Sequence, residues 1–438
     1  MKKFQKIAFL LVFSVFTTGS LGLFAQTPLG YGAKNNAIAG SGVALSSEAL
    51  WGNKNPGGLA FLGRKIGLGI DIQMPTVSYK VLNAPASFNQ DYLQPWPLGL
   101  QEGQADASRK ATILPNIGIN LELNDNSSLA ISIFSNGRRG HSFDTKTYYS
   151  PIIAEFPNTD EFTNPMGVVS SPTFFHLSQY FSAISYSYKI NDKIGVGLSA
   201  VGAWQSLNVG GYEAFGSLGY SAYPQEISNN DMANAYGLGG QLGLQWNISK
   251  MFQLGLTYRS ELFMSSFESY KGLIAENGQM NIPAEWSLGI ALQASENLLI
   301  AIDAQRICYS QVAAWNLPMA SHKEGYLGGD NGSGLGREDE MRFKMGLQYH
   351  IPKWDFKIGY AYIKPSIVSD EVLLNMLMPD IIQNHISLGV SRMLNDEVLH
   401  FALIKGLKSS MTGVNALDLT QEIELEAESW TLAFSVDF

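Results

Sequence analysis

The chain contains a single cysteine, Cys308, so it can form no internal disulfide and no cysteine-based metal cage. Charge is also scarce: Asp, Glu, Lys and Arg make up 15% of 438 residues, against about 25% in ordinary soluble domains. Acidic residues outnumber basic ones, giving a formal charge of −9. A nucleic-acid binder would need the opposite balance. Long apolar runs are missing as well. The longest, Ile7 to Phe16, falls short of the roughly 20 residues a helix needs to cross a bilayer, which argues against a helical membrane protein. Yet 45% of residues are hydrophobic, 11% are aromatic and 44 are glycine. Alternating strands, with one face to lipid and the other to water, produce a chain that is apolar in sum but never for long.

The first residues, Met1-Lys2-Lys3-Phe4-Gln5-Lys6, are basic and lead into that short apolar run, which ends near Leu23-Phe24-Ala25. This is the pattern of a secretory signal peptide over residues 1–25, with a mature start at Gln26. No cysteine lies near the cut, so a lipoprotein anchor is not expected. Losing Lys2, Lys3 and Lys6 would leave a charge of −12.

The other end reads Trp430-Thr431-Leu432-Ala433-Phe434-Ser435-Val436-Asp437-Phe438. Trp430, Leu432, Phe434, Val436 and Phe438 share one face of a strand, because strand side chains alternate. An aromatic last residue on such a strand resembles the signal by which outer-membrane barrels engage the barrel-assembly machinery, here through Phe438. The same period recurs along the chain. Met341, Phe343, Met345, Leu347 and Tyr349 alternate with Arg342, Lys344, Gly346, Gln348 and His350. Ile66 to Ile72, Ile117 to Leu123, Ile194 to Leu198, Trp286 to Leu292 and Trp354 to Tyr362 repeat it. The polar or small face is assigned to the lumen.

Short turns are expected at 124–126, 191–192, 249–250, 295–297, 352–353 and 395–396, where turn-forming residues separate alternating runs. Long connections are expected at 82–112, 139–176, 209–233, 270–281, 311–339, 364–383 and 407–426. Short and long links alternate, as in an up-and-down barrel with short periplasmic turns and longer outer loops. The expected fold is therefore all-β: a transmembrane antiparallel β-barrel of about fourteen strands over residues 63–438. Residues 26–62 do not alternate and carry turn and short-helix signals. With Ile38, Val43, Leu45, Leu50, Trp51, Leu59 and Phe61 they are too apolar for a disordered tail. They are read as a plug in the lumen, the alternative being a periplasmic tail.

Four segments, 37–56, 242–261, 282–289 with Asp303, and 379–391, together resemble in order and spacing the FadL/TodX outer-membrane transport proteins. Ala37-Ile38-Ala39-Gly40 through Ser47-Glu48-Ala49-Leu50 to Asn55-Pro56 is similar to that family's N-terminal hatch. Leu242 to Trp246 and Leu256 to Glu261 resemble a mid-barrel hairpin, and Ile282 to Gly289, with Asp303 beyond, the strands after it. Pro379-Asp380 and Asn384 to Ser391 resemble a late loop and strand. The resemblance implies a fourteen-strand barrel closed by the hatch. It also implies passive transport of hydrophobic molecules, long-chain fatty acids first and aromatic hydrocarbons as the alternative. Substrate would rest in an apolar groove among the outer loops, move to an inner pocket, and leave sideways at a kink in the third strand. Two departures stand out. The hatch motif Asn-Pro-Ala of the family reads Asn55-Pro56-Gly57 here, and the third strand runs to Ser135-Asn136-Gly137, either the kink or simply the top of that strand.

A fatty acid carries a carboxylate, which an inward cation would meet. Arg259, Arg342 and Lys344 fall on inward faces in the outer half, where they either contact substrate or pair with Glu261, Asp303 or Asp355. The run Val372-Leu373-Leu374-Asn375-Met376-Leu377-Met378 lies in a loop. Leu373, Leu374, Met376 and Leu377 there form either an exposed landing groove or a segment folded back on neighbouring loops. No nucleophile elbow is present, so no enzyme is expected. The six histidines show no metal-ligand spacing, and neither metal nor cofactor is expected. Glu338-Asp339-Glu340 reads as a solvated charge run. The expected partners are hydrophobic small molecules and outer-membrane lipid, with no nucleic acid. A general porin and a loop-based binding or adhesion protein are the rival readings.

Overall fold

In a computed structural model of the chain, residues 28–84, 100–108, 111–145, 147–148, 172–319 and 325–438 are described. The signal peptide expected over 1–25 lies outside them, as do parts of three expected loops.

Fourteen antiparallel strands form one closed barrel. They are β1 Lys65–Leu82, β2 Thr112–Asn124, β3 Ser127–Arg139, β4 Thr173–Lys189, β5 Ile194–Gly210, β6 Ala233–Asn247 and β7 Phe252–Arg259. The second half comprises β8 Glu285–Gln293, β9 Leu298–Ile307, β10 Glu340–Ile351, β11 Trp354–Lys364, β12 Asn384–Leu394, β13 Glu397–Asn415 and β14 Asp418–Asp437. Each pairs with the next, and β14 closes on β1 from Gly67↔Asp437 to Leu82↔Glu422. Closure removes the two edge strands that an open sheet would present, unpaired along their whole length, to lipid. Among the described residues no helix is long and apolar enough to cross a membrane.

The faces follow the alternation. On β10, Phe343, Met345 and Tyr349 are exposed while Arg342 and Lys344 are buried in the lumen. The six short turns stand where expected. One long connection does not exist: the loop expected over 407–426 is instead the continuation of β13 and β14, which turn between Asn415 and Asp418. The period-two pattern persists there, but its meaning inverts. Ile423, Leu425 and Ala427 face inward and are buried, whereas Glu424, Glu426 and Glu428 face out. Lys405 and Lys408 on β13 meet Glu428 and Glu426 at 2.6 and 2.7 Å. Above the membrane the outside of the barrel faces water, and the inside faces a core of loops.

That core is the largest apolar cluster among the described residues. It joins inward wall residues such as Val77, Tyr79 and Leu425 to loop residues Phe215, Ile274, Trp315 and Leu373. The 372–378 run belongs to it, so of the two readings it is the segment folded back on neighbouring loops and not an exposed groove: Val372 and Met376 are 0% exposed and Leu373 1%. Its one polar residue explains why it can turn inward. Asn375 Nδ2 donates to the carbonyls of Leu335 and Glu371, and its Oδ1 accepts from the buried Arg337 Nε at 3.1 Å. Arg337 also binds the Met378 carbonyl and Asp380, so its own buried charge is paired.

Residues 28–62 lie against the inner face of the wall, in three short helical turns at Ala33–Asn36, Ala49–Asn53 and Pro56–Phe61. Their backbone amides bind inward side chains around the circumference: Ala33 to Ser435, Ala39 to Ser387, Val43 to Asp303 and Ala60 to Ser187, at 2.9–3.1 Å. The wall meets them with glycine. A Cβ on Gly118 would stand 2.8 Å from the Ala49 carbonyl carbon, and one on Gly243 2.6 Å from Gly57 N. Only a wall without side chains lets backbone approach this closely.

Candidate functional site

The sequence-derived cations converge. Arg259, Arg342 and Lys344 all line one internal cavity of about 50 Å³, with Lys54, Arg139, Tyr31 and Glu285. Strand register puts them there. Arg259 on β7 is directly opposite Glu285 on β8; Arg342 and Lys344 on β10 are opposite Gln305 and Asp303 on β9. Pro28, Leu29, Gly30 and Tyr31 of the N-terminal segment form the remaining wall.

The ion pairs are not the expected ones. Arg259 Nη2 meets Glu285 at 3.1 Å, and its guanidinium stands 5.2 Å from the centre of the Phe181 ring. Arg342 Nε meets Glu340 at 2.5 Å. Asp303 is taken by the N-terminal segment, accepting from Lys54 at 3.1 Å and from the Val43 amide. Asp355 pairs with His350 and lies near Lys357, and Glu261 accepts from Asn281. Glu340 is thus a buried strand residue rather than part of a solvated run, and Asp339 and Glu338 pair with Arg306 and Lys364.

Lys344 is left without a carboxylate. Its ammonium donates to the Leu29 carbonyl at 2.8 Å and makes no ion pair among the described residues. Five cations line the cavity against two carboxylates, Glu285 and Asp303. Arg259 Nε, Arg139 Nε and Gln305 Oε1 are buried there with no hydrogen-bond partner. A small space with surplus positive charge and spare donors suits one anionic group with two oxygens. Glu285 was legible as an inward residue, but its place opposite Arg259 follows only from strand register. Lys54 and Tyr31 were not, because nothing in a non-periodic segment says where it lies in the lumen.

Ser135-Asn136-Gly137 do form an irregularity in β3. The register on β4 advances from Tyr180 to Ser178 while β3 advances from Ser135 to Arg138, so one extra residue is inserted. Gly137 takes φ 99°, a conformation that favours glycine. On its other side β3 stops pairing earlier: the β2–β3 ladder ends at Asn116↔Phe134. Pro115, which has no amide hydrogen, stands at that end. Above it β2 pairs only with β1, and β3 only with β4. The bulge adjoins the cavity through Tyr31, whose hydroxyl donates to Asn136 Oδ1 at 3.0 Å and whose ring packs on Phe134.

Asn55-Pro56-Gly57 lie at the opposite, periplasmic level. Asn55 caps the Pro56–Phe61 turn by accepting from Gly57 N, and its Nδ2 donates to the Val43 and Leu244 carbonyls at 2.8 and 3.0 Å. The third residue of that motif must be small, since a Cβ on Gly57 would meet Gly243 at 2.8 Å. Of the 372–378 run, Leu374 lines a second, apolar cavity of about 20 Å³ in the loop core, with Phe175, Tyr212, Ile274 and Leu335. The run and the charged cavity are separate places.

No curated protein matches the chain. Solved structures do match, at identities that establish the fold alone. The toluene transporter TodX of P. putida aligns with TM-score 0.64 and 18% identity, over 94% of this chain and 98% of its own. A FadL homologue of Pseudomonas aeruginosa aligns with TM-score 0.63 and 16% identity, over 93% and 97%. The toluene transporter TbuX of Ralstonia pickettii aligns with TM-score 0.57 and 17% identity, over 93% and 98%. The family profile described as "Outer membrane protein transport protein (OMPP1/FadL/TodX)" covers residues 177–438, more than half of the sequence. With the closed fourteen-strand barrel, this match makes the chain a member of the OMPP1/FadL/TodX family of outer-membrane transport proteins.

Proposed function

We propose that this barrel passes long-chain fatty acids, with the cavity around Lys344 receiving the carboxylate. The surplus of positive charge carries this reading: an ammonium held by one carbonyl, in a cavity with four more cations more firmly committed, is matched to an anion. An aromatic hydrocarbon, the second reading within the family, brings no charge and would leave that surplus unused. The alkyl chain would first meet the apolar loop cavity at Leu374. Leu373, Met376 and Leu377 pack behind it in the same loop core. Exit is proposed at the open seam between β2 and β3, with Tyr31 between cavity and seam. Such solutes partition into a bilayer, so a sideways exit spares them a watery pore. Residues 28–62 act as the hatch. At about 50 Å³ the cavity holds a headgroup but no chain, so loading requires Leu29 and Tyr31 to shift. A lumen occupied in this way does not suit a general porin, and an adhesion role has no observation in its favour.

The test is uptake of labelled oleate and of toluene by cells lacking their own transporter. The Lys344→Gln change is expected to slow oleate uptake about tenfold, since a charged hydrogen bond contributes about 1.5–3 kcal/mol, while toluene uptake does not change. An equal loss for both solutes, or none for oleate, would sink the carboxylate assignment.

A further inference from the structure

Near the periplasmic end, on the far side of the N-terminal segment from the cavity, lies a second buried polar cluster. It joins Glu48 of that segment to His400 on β13 and Asp437 on β14. One ligand-capable atom from each lies within 4.8 Å of the others. Glu48 is 0% exposed, and neither of its carboxylate oxygens has a hydrogen-bond partner. Asp437 is 4% exposed, and its Oδ1 is likewise unpartnered. The surrounding ammoniums are engaged elsewhere. Lys34 donates to the Ser47 carbonyl at 3.1 Å, and Lys357 donates to Ser391 and lies 3.7 Å from Asp355. Among the described residues no cation is in ion-pair reach of Glu48.

Two buried carboxylates side by side, with bare oxygens aimed into one space, are a costly arrangement unless a cation joins them. The imidazole is set as a ligating histidine would be. His400 Nδ1 is held by Ser391 Oγ at 2.6 Å, and Nε2 lies 3.3 Å from Asp437 Oδ2. With Nδ1–H donating to the Ser391 hydroxyl, which can accept as well as donate, Nε2 is the nitrogen left for an ion. The wall gives way on the same side, since the inward position paired with Asp437 is Gly67.

We propose that Glu48, His400 and Asp437 bind one divalent transition-metal ion, which clips the N-terminal segment to the last two strands. One imidazole nitrogen and two carboxylates suit Zn²⁺ or a neighbouring first-row ion, with water in the fourth position. Ligand atoms about 2.1 Å from a tetrahedral ion stand about 3.4 Å apart, so atoms that are now within 4.8 Å of one another close in by at most about 1.4 Å on binding. The ion ties residues distant in sequence, and it stabilises the seated segment according to its affinity. Sequence spacing could not reveal it, because each ligand comes from a different element and only one is histidine.

The test uses the full barrel, purified in detergent, stripped with chelator and titrated with Zn²⁺. Metal analysis is expected to give one tightly held Zn²⁺ per chain. Glu48→Gln and Asp437→Asn are each expected to weaken binding at least tenfold while keeping the heat-modifiable gel mobility of a folded barrel. Zn²⁺ is also expected to protect residues 28–62 of the original chain, but not of the Glu48→Gln variant, from protease. Absence of stoichiometric Zn²⁺ in the folded original chain would overturn the proposal, as would undiminished binding by a folded Glu48→Gln/Asp437→Asn double variant.

Discussion

The two halves of this barrel are filled by opposite means. Toward the periplasm the wall presents glycine and small polar residues, and the N-terminal segment lies on it backbone to backbone, fastened by hydrogen bonds from its amides. Toward the outside the wall presents Val77, Tyr79 and Leu425, and the loops pack on it side chain to side chain. The lower filling is held by fit and by directional bonds, which fail abruptly when a methyl group intrudes. The upper filling is held by apolar area, which weakens in proportion to what is removed. The charged cavity lies where the two fillings meet.

The largest effect expected to break this contrast comes from a single side chain in the lower half. Gly243→Val places carbon against Gly57 N and Asn55, which cannot retreat without leaving Leu244 and Val43. Overpacking of this kind costs about 3 kcal/mol. The N-terminal segment is expected to go from protected to fully cleavable by protease, while the barrel keeps its heat-modifiable mobility. Continued protection would show that the lower filling is as compliant as the upper one.

A graded loss is expected in the upper half. Leu374→Ala enlarges a cavity already present in the loop core and should cost about 2–5 kcal/mol. Hydrogen exchange of the loop amides is expected to speed up by more than tenfold, with strand amides and residues 28–62 unchanged. Acceleration in both halves would mean that the two fillings form one cooperative unit.

The smallest effect separates the halves by pH. His141, in the loop after β3, is buried, and burial holds its pKa down to about 4 despite the nearby Asp380. An unfolded histidine takes its proton near 6.5. The loop core is therefore at full stability above that value, and loses about 1.4 kcal/mol per pH unit as the pH falls from there toward 4. Asp380 does not oppose this trend: burial pushes its carboxyl up, but Arg337 and Arg139 more than offset that and keep it below the usual range. At pH 5 the upper half should have lost about 2 kcal/mol, seen as faster exchange in the loops alone. His141→Gln should flatten the dependence; an unchanged slope would assign it to other groups.

The sequence disclosed the barrel because lipid imposes a strict alternation on each wall, and Phe343, Met345 and Tyr349 obey it. It misled over 407–426 because the same alternation continues above the membrane with its polarity reversed. Glu424 and Glu426 there look like loop residues unless water is expected outside and loops inside. The inward direction of Arg259, Arg342 and Lys344 was readable from parity alone. Their partners were not. Glu285 and Glu340 follow from register, whereas Lys54 and Leu29 come from a segment without period. The apolar run at 372–378 was visible as composition, but its burial depends on Arg337 and Asn375 meeting across 38 residues of chain.

The seat of residues 28–62 has a consequence for the order in which the molecule is made. Ala33 binds Ser435, 402 positions later, and Val43 binds Asp303. This early part of the chain thus rests on strands that are synthesised up to 402 residues after it, once the ring can close. Contacts of such separation form late and slowly. Arrival of the N-terminal segment in its place is therefore a report that every strand before it has found its partner, and an incompletely closed chain would betray itself by a leading end with nowhere to go.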